Sequence, residues 1–341
     1  MKKIILSLVA VFALAFNAKA QELETILLAK EDASKLTNAY IDPAMKGLIY
    51  SMNNGWYHTA KVHKKFGFDI TIAASGSFVP SKDEIFNLTK LGLSDNIDLN
   101  GNTTSPTIAA EDNINTPTLT FNGKSNGIDV STDFTMPKGE GVNIAPAPAI
   151  QVGLGLPFKL EAMVRYVPKV GSDDVKAGLF GIGLKKEITS WFGPLDKLPL
   201  HVSLLAAYTN MNVDYTIGDV DGDIEVRNGV TEFRLNTYTV QAIASINFPI
   251  INFYGGLGYN GGNTKLDVKG DSFHANYQSS TIPSVTVRED LGKNPLSLST
   301  STGGFNATIG TRLSLGFFKI FGSYTMQEYN SVNAGIAFSF R

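Results

Sequence analysis

The side chains best equipped for chemistry are few. The chain has four histidines and no cysteine, which excludes thiolate catalysis, thiolate metal sites and disulfides. An acyl hydrolase working at a membrane edge needs a serine, a histidine base and a group that orients the base. His201 and Ser203 share one side of an alternating stretch, with no third member evident nearby. His58 and His63 bracket HTAKVH, a five-residue separation that does not match a helix-face metal pair, and no acid cluster adjoins them. GDVDGDIEVRNG alternates Asp219, Asp221 and Asp223 like the first half of a calcium loop, with Glu225 close by. It departs from that loop at two places: Ile224 stands where a glycine is needed and Val230 where a bidentate glutamate belongs. An acidic surface loop is therefore expected. No catalytic centre, metal or cofactor is expected, and the chain does not read as an enzyme.

The stronger signal is the period of two. In FGFDITIAASGSF, Phe66, Phe68, Ile70 and Ile72 alternate with Gly67, Asp69, Thr71 and Ala73. The same alternation recurs from Ala149 to Leu156, in KLEAMVRYV, in HVSLLAAYT, YTVQAIASINF and INFYGGLGYN, while the Gly-rich 176–185 stretch is a strand of ambiguous facing. The alternation returns in FNATIGTRLSLGF, FKIFGSYTM and the closing SVNAGIAFSFR, making ten strands, an even number. Four connections are compact: 155–158, 186–198, 248–250 and 316–318. Five are polar and mostly longer: 79–143, 167–175, 218–231, 261–302 and 327–331. Short and long alternate without a break, the asymmetry of inner turns and outer loops in an outer-membrane barrel. TLTFNGKSNGIDVSTDF reads as a hairpin about Gly123 or Asn126-Gly127, and SVTVRED as a short strand, so the count runs from 10 to 14.

Aromatic residues support a lipid-facing exterior. Tyr166, Tyr208, Tyr215, Tyr259, Tyr324 and Tyr329 fall beside the long connections. Phe158, Phe248, Phe253, Phe317, Phe318 and Phe340 fall beside the short ones. In KKEITSWFGPLDKLPL, Ile188, Trp191 and Phe192 form a short apolar face suited to an inner headgroup plane or to packing on protein. The other side of the alternation should face the lumen. Its candidates are Asp69, Glu161, Arg165, Asn252, Tyr254, Arg312 and Phe321, interspersed with Gly153, Gly256, Gly310 and other small residues. Small inward residues make room for a plug or a ligand. In a bland arrangement Asp69, Glu161, Arg165 and Arg312 pair across the lumen to avoid lone charges.

Composition and the first residues agree. Lys2, Lys3, the apolar run 4–16 and Ala18-Lys19-Ala20 make a signal peptide over 1–20, implying export through the inner membrane. Its removal takes three lysines and no acid, moving the net charge from −2 to −5; no basic stretch suits a phosphate backbone, so nucleic acid is not an expected partner. Only 18% of residues are charged, against about 25% in soluble domains. Residues 21–64 read as two short helical pieces, the second starting at Asp42-Pro43, and form a plug or a periplasmic segment. Residues 65–341 form the barrel, with long loops at 79–143 and 261–302. The fold class expected is all-β, a transmembrane antiparallel up-and-down β-barrel with a short helical N-terminal segment.

DPAMKGLIYSMNNGWYHTAKVHKKFGFDIT, NIAPAPAIQVGLGLP and GIGLKKEITSWFGPLDKLPLHVS together resemble an uncharacterised family of bacterial outer-membrane β-barrels. That family is distantly similar to the long-chain fatty-acid outer-membrane transporters. The resemblance implies a hatch and passage of a hydrophobic small molecule through a lateral opening, in a transporter fold of fourteen strands. No position matches a known substrate pocket, so no functional residue is carried over. The expected location is the Gram-negative outer membrane. Expected partners are outer-membrane lipid, the barrel-insertion machinery acting on the C-terminal strand, and a small hydrophobic solute. The expected function is porin-like passive uptake of that solute, with a structural or adhesion barrel acting through its outer loops as the alternative.

Overall fold

The computed structural model describes residues 25–172, 174–281 and 283–340. The signal peptide expected over 1–20 lies outside the described residues. Ten strands follow one another around a closed antiparallel wall. They are β1 (Phe68–Phe78), β2 (Ile144–Leu156), β3 (Leu160–Gly171), β4 (Val175–Glu187) and β5 (Leu200–Val220). The circuit continues through β6 (Ile224–Asn247), β7 (Ile251–Lys269), β8 (Leu296–Leu315), β9 (Phe318–Met326) and β10 (Ser331–Phe340). Each strand pairs with the next, and β10 closes on β1 from Phe68–Phe340 to Ser77–Ser331. Closure gives every strand a partner on both sides, the condition for strands to survive in hydrocarbon. Ten is fewer than the fourteen implied by the transporter resemblance. The additional strands read in the long loops lie outside the barrel. Thr118–Ser125 and Ile128–Thr135 pair about Asn126-Gly127, both at positive φ as a two-residue hairpin requires. Ser272–Gln278 and Thr286–Gly292 pair with each other and extend the sheet from the outer end of β6.

The outer surface decides what solvent the wall meets. Ile70, Val240, Leu257 and Phe305 stand 39%, 58%, 68% and 85% exposed, so no second layer of polypeptide covers them. The apolar side chains form a belt between two aromatic rims. Tyr208, Tyr238, Tyr259 and Phe305 line the outer rim, with Tyr238–Tyr259 and Tyr259–Phe305 in ring contact. Phe158, Trp191, Phe248 and Phe317 mark the inner rim. From Tyr238 to Phe248 is ten residues, about 34 Å along a strand and about 26 Å along the normal at a tilt of about 40°, close to the apolar height of an outer-membrane barrel. Tyr215 and Tyr329, expected at this rim, face inward instead. Tyr215 lines an apolar chamber, while Tyr329 is buried against Tyr50 and donates to Asp83. The Trp191 segment is a kinked 3-10 stretch, Thr189–Lys197, with Gly193 at φ +62.

Above the outer rim the polarity of the wall reverses. Along β6, outward Val240 and Tyr238 give way to Asn236, Arg234 and Glu232, while inward Thr239 and Thr237 give way to Leu235 and Phe233. On β5, outward Asn210, Asn212 and Asp214 oppose inward Met211, Val213 and Tyr215. The stretches 218–231 and 261–302, expected as loops, are therefore largely strand and hairpin. Their apolar residues point inward to a core that stands in water, so the lipid-facing pattern stops although the strands do not.

One unbroken α-helix, α1 (Ala33–Met52), packs within that core. Two pieces were expected because Asp42-Pro43 reads as an N-cap and first helical residue; inside one helix Pro43 instead costs a hydrogen bond. Burial of Ile41, Ala44, Met45 and Leu48 on either side of the proline outweighs that loss. Residues 25–32 lie beneath the outer hairpins: Tyr277 donates to the Leu28 carbonyl and Lys30 pairs with Glu289. The chain then descends through the barrel, from α1 at the outer end to Lys64 and Phe66 beside Gly155 at the inner end. Residues 33–64 thus run through the lumen.

Candidate functional site

The lumen has two storeys, and segment 53–64 fills the lower one. This segment has no regular structure, so its backbone groups need partners from elsewhere. The wall supplies them. Gln151 donates to the Trp56 carbonyl, Ser203 to the Ala60 carbonyl, and Glu187 and Glu161 accept the Val62 and His63 N–H groups. The inward polarity of the lower strands thus serves the irregular chain within them. Gly183 lies against the Trp56 ring and Gly256 against the Tyr57 hydroxyl, places where a Cβ would come within 3.0 Å and 2.4 Å. These glycines make room for the plug.

The seven lumen-facing candidates point inward, and six are nearly fully buried: Asp69, Glu161, Arg165, Asn252, Tyr254 and Phe321. The four charged ones do not pair directly across the lumen with one another. Their partners come largely from the plug, because it brings histidines and carbonyls within reach of each wall charge. Arg312 donates to His58 Nδ1 at 3.0 Å, so that nitrogen carries no proton and Nε2 donates to Asp69 at 3.1 Å. Glu161 accepts from His63 at 2.9 Å and from Lys185 of β4 at 2.7 Å. Arg165 donates to Gln151 and to the carbonyls of Met52 and Asn54, with its guanidinium 3.9 Å from the centre of the Trp56 ring. It thereby caps the last turn of α1, where free carbonyls carry partial negative charge. Of the remaining three, Asn252 bonds Ser314, Tyr254 packs edge-on to Tyr57, and Phe321 stacks on His58 at 4.9 Å.

His201 finds an acid, Glu187, at 3.0 Å, while Ser203 is turned to the Ala60 carbonyl. A base joined to its nucleophile is therefore not assembled there. Asp219 accepts from the Asn228 N–H, Asp221 pairs with Arg227, and Glu225 pairs with Arg288. Among the described residues, no three carboxylate or histidine groups converge as a metal site.

The upper storey is apolar. Between α1 and the outer ends of β4–β8 lies a cavity of ≈160 Å³, lined among others by Ile41, Ala44, Met45, Val213, Phe233 and Phe273. None of its lining residues is charged. The wall beside α1 is also incomplete. β2 pairs with β1 from Ile144 to Leu154, yet its pairing with β3 runs only from Gln151–Arg165 to Leu156–Leu160. Above Gln151 no described residue of β2 pairs with β3. Pro146 and Pro148 on one side and Pro168 on the other lack the N–H that a ladder needs. The last closed rung, Gln151–Arg165, is the same pair that holds the plug.

Sequence reasoning found the wall residues and missed their partners Trp56, Tyr57, His58, His63, Lys185 and Glu187. Parity could have placed Lys185 and Glu187, but the glycines of β4 obscured its facing. For the plug no periodic signal exists.

Several solved structures are similar to this chain. They include Ail, the attachment invasion locus protein of Yersinia pestis, at 9% identity over 81% of this chain and 99% of that one, with a TM-score of 0.27. The outer membrane protease OmpT of Escherichia coli gives 8%, 80%, 97% and 0.34, and a Pseudomonas aeruginosa FadL homologue 9%, 86%, 96% and 0.22. At such scores the closed ladder of ten strands, and not the likeness, defines the fold. No curated protein matches the chain. The model of the family of unknown function DUF6588 matches residues 1–340, and the chain belongs to that family.

Proposed function

We propose that the protein is an outer-membrane barrel that captures small, neutral, apolar solutes in its outer chamber and passes them into the membrane through the β2–β3 seam. The observation that carries this reading is the charge-free cavity of ≈160 Å³ beside α1. An apolar cavity of about 150 Å³ stays dry and accepts a benzene-sized guest. A long-chain carboxylate is disfavoured, since burying its charge there without a partner is costly. The exposed belt and its aromatic rims favour the outer membrane and its lipid as the medium. The C-terminal strand, ending on exposed Phe340, is the segment offered to the insertion machinery.

The test is calorimetric titration of the folded protein with toluene and with hexanoate, together with whole-cell uptake of both. Saturable toluene binding without hexanoate binding, and slower toluene uptake in a deletion strain, are expected. Uptake equal in the two strains would remove the transport reading. The filled lower lumen favours one alternative, a barrel that acts through its outer hairpins. In that case trimming residues 118–135 abolishes surface binding and leaves toluene uptake untouched.

A further inference from the structure

The polar face above the outer rim carries information that solute capture does not use. On β5–β8 the outward side chains fall into layers. The aromatic layer is Tyr208, Tyr238, Tyr259 and Phe305. The next cross-strand row is Asn210–Asn236–Asn263–Ser301, and above it runs Asn212–Arg234–Lys265–Ser299. Successive rows of one strand are separated by two residues, about 5 Å along the normal at a tilt of about 40°. From the apolar belt outward, the face therefore reads ring, amide, cation.

The amide layer is organised rather than loose. Tyr208 Oη and Asn210 Nδ2 both donate to Asn236 Oδ1, at 2.7 Å and 2.9 Å, and Asn212 Nδ2 donates to Asn210 Oδ1 at 2.9 Å. The cationic layer sets Arg234 directly opposite Lys265. Like charges facing across a ladder are unfavourable, and here carboxylates of the next row offset part of the repulsion. Glu232 and Asp267 stand one row further out and pair with Arg234 and Lys265 at 3.0 Å and 2.9 Å. They hold the cations in place, while more than half of each cationic side chain, 56% and 52%, remains exposed. Arg234 has N–H groups to spare for a phosphate.

We infer that this face of β5–β8 binds a phosphorylated glycolipid of the surrounding leaflet, with its acyl chains on the ring layer, its sugar on the amide layer and its phosphate between Arg234 and Lys265. Asparagine and serine side chains beside tyrosine rings suit hydroxyl-rich sugars, which offer both donors and acceptors over an apolar ring face. A plain phospholipid matches the ring and cation layers but leaves the amide row without a sugar.

This assignment rests on the membrane placement proposed above, and the two fail differently. The experiment uses the full-length protein in nanodiscs of phosphatidylethanolamine, doped with phosphorylated lipid A glycolipid, its dephosphorylated form or phosphatidylglycerol. Bound lipid is counted by native mass spectrometry after release. Retention of the phosphorylated glycolipid over both competitors is expected. Arg234→Ala with Lys265→Ala should reduce retention about tenfold, the loss of two charge-assisted contacts at a wet surface. Asn236→Ala should weaken glycolipid retention and leave the phosphatidylglycerol signal unchanged. Phosphatidylglycerol competing equally, or full retention in the double variant, overturns the assignment. Both substitutions lie on exposed side chains, and heat-modifiable migration on gels verifies that each variant folds. A protein that does not enter the nanodisc at all overturns the membrane placement instead.

Discussion

Ala44→Phe places a guest in the chamber permanently. Ala44 is 7% exposed on α1 and lines the ≈160 Å³ cavity, so a phenyl ring there occupies the space a toluene molecule would use. Burying roughly 200 Å² of a toluene-sized guest yields about 5 kcal/mol at ~25 cal/mol/Å², corresponding to a Kd of about 0.2 mM. In the variant that gain belongs to the protein. Filling with a ring contributes about 2 kcal/mol and crowding costs ~1–3 kcal/mol, so net stability should change little. The assay is toluene titration of the detergent-folded protein, with the thermal midpoint of heat-modifiable migration as the folding control. At least a tenfold weaker Kd with a nearly unchanged midpoint is expected. Toluene binding within twofold of the unsubstituted protein would refute the chamber as the site, whatever the uptake data show.

Arg165→Met should loosen the plug, because it leaves the Met52 and Asn54 carbonyls and Gln151 without their donor. The loss should be about 3–5 kcal/mol, read as faster proteolysis of residues 53–64; unchanged protection would show that Arg165 does not hold the segment. Pro148→Thr restores a backbone N–H at the seam, so toluene uptake should fall while the Kd stays the same, and equal uptake would place the exit elsewhere. Asp32 is buried, which disfavours its charge, but bonds from Lys35 and Ser94 prevail and hold its carboxyl below the usual range. A depressed folded value stabilises above the unfolded pKa and is lost as pH falls through the folded one. Residues 25–32 should therefore loosen below about pH 4, and Asp32→Asn should abolish that acid dependence; an identical pH profile in the variant contradicts the assignment.

The barrel was legible because its code is local. Ile70 and Val240 lie on the apolar side of a period of two, and compact turns such as 248–250 alternate with long connections around all ten strands. Two things were not legible, for different physical reasons. Above Tyr238 the alternation continues with its sign inverted, so Phe233 and Leu235 look like loop residues to a reader seeking lipid-facing strands. The partners of Asp69 and Glu161 lie on residues 58 and 63 of an aperiodic segment, and only the closed wall brings them together. The helix through Pro43 shows the same limit, since local propensity predicts a break that burial in the cup overrides.

Spin labels at Val240 and Arg234 test the central claim most directly, since both side chains lie on the outward face of β6 on either side of Tyr238. In bilayers, the label at 240 should be relaxed by oxygen and shielded from a water-soluble nickel chelate, with the reverse at 234. Equal chelate access at both positions, or shielding from both reagents at 240, would contradict a wall that passes from lipid to water at that tyrosine.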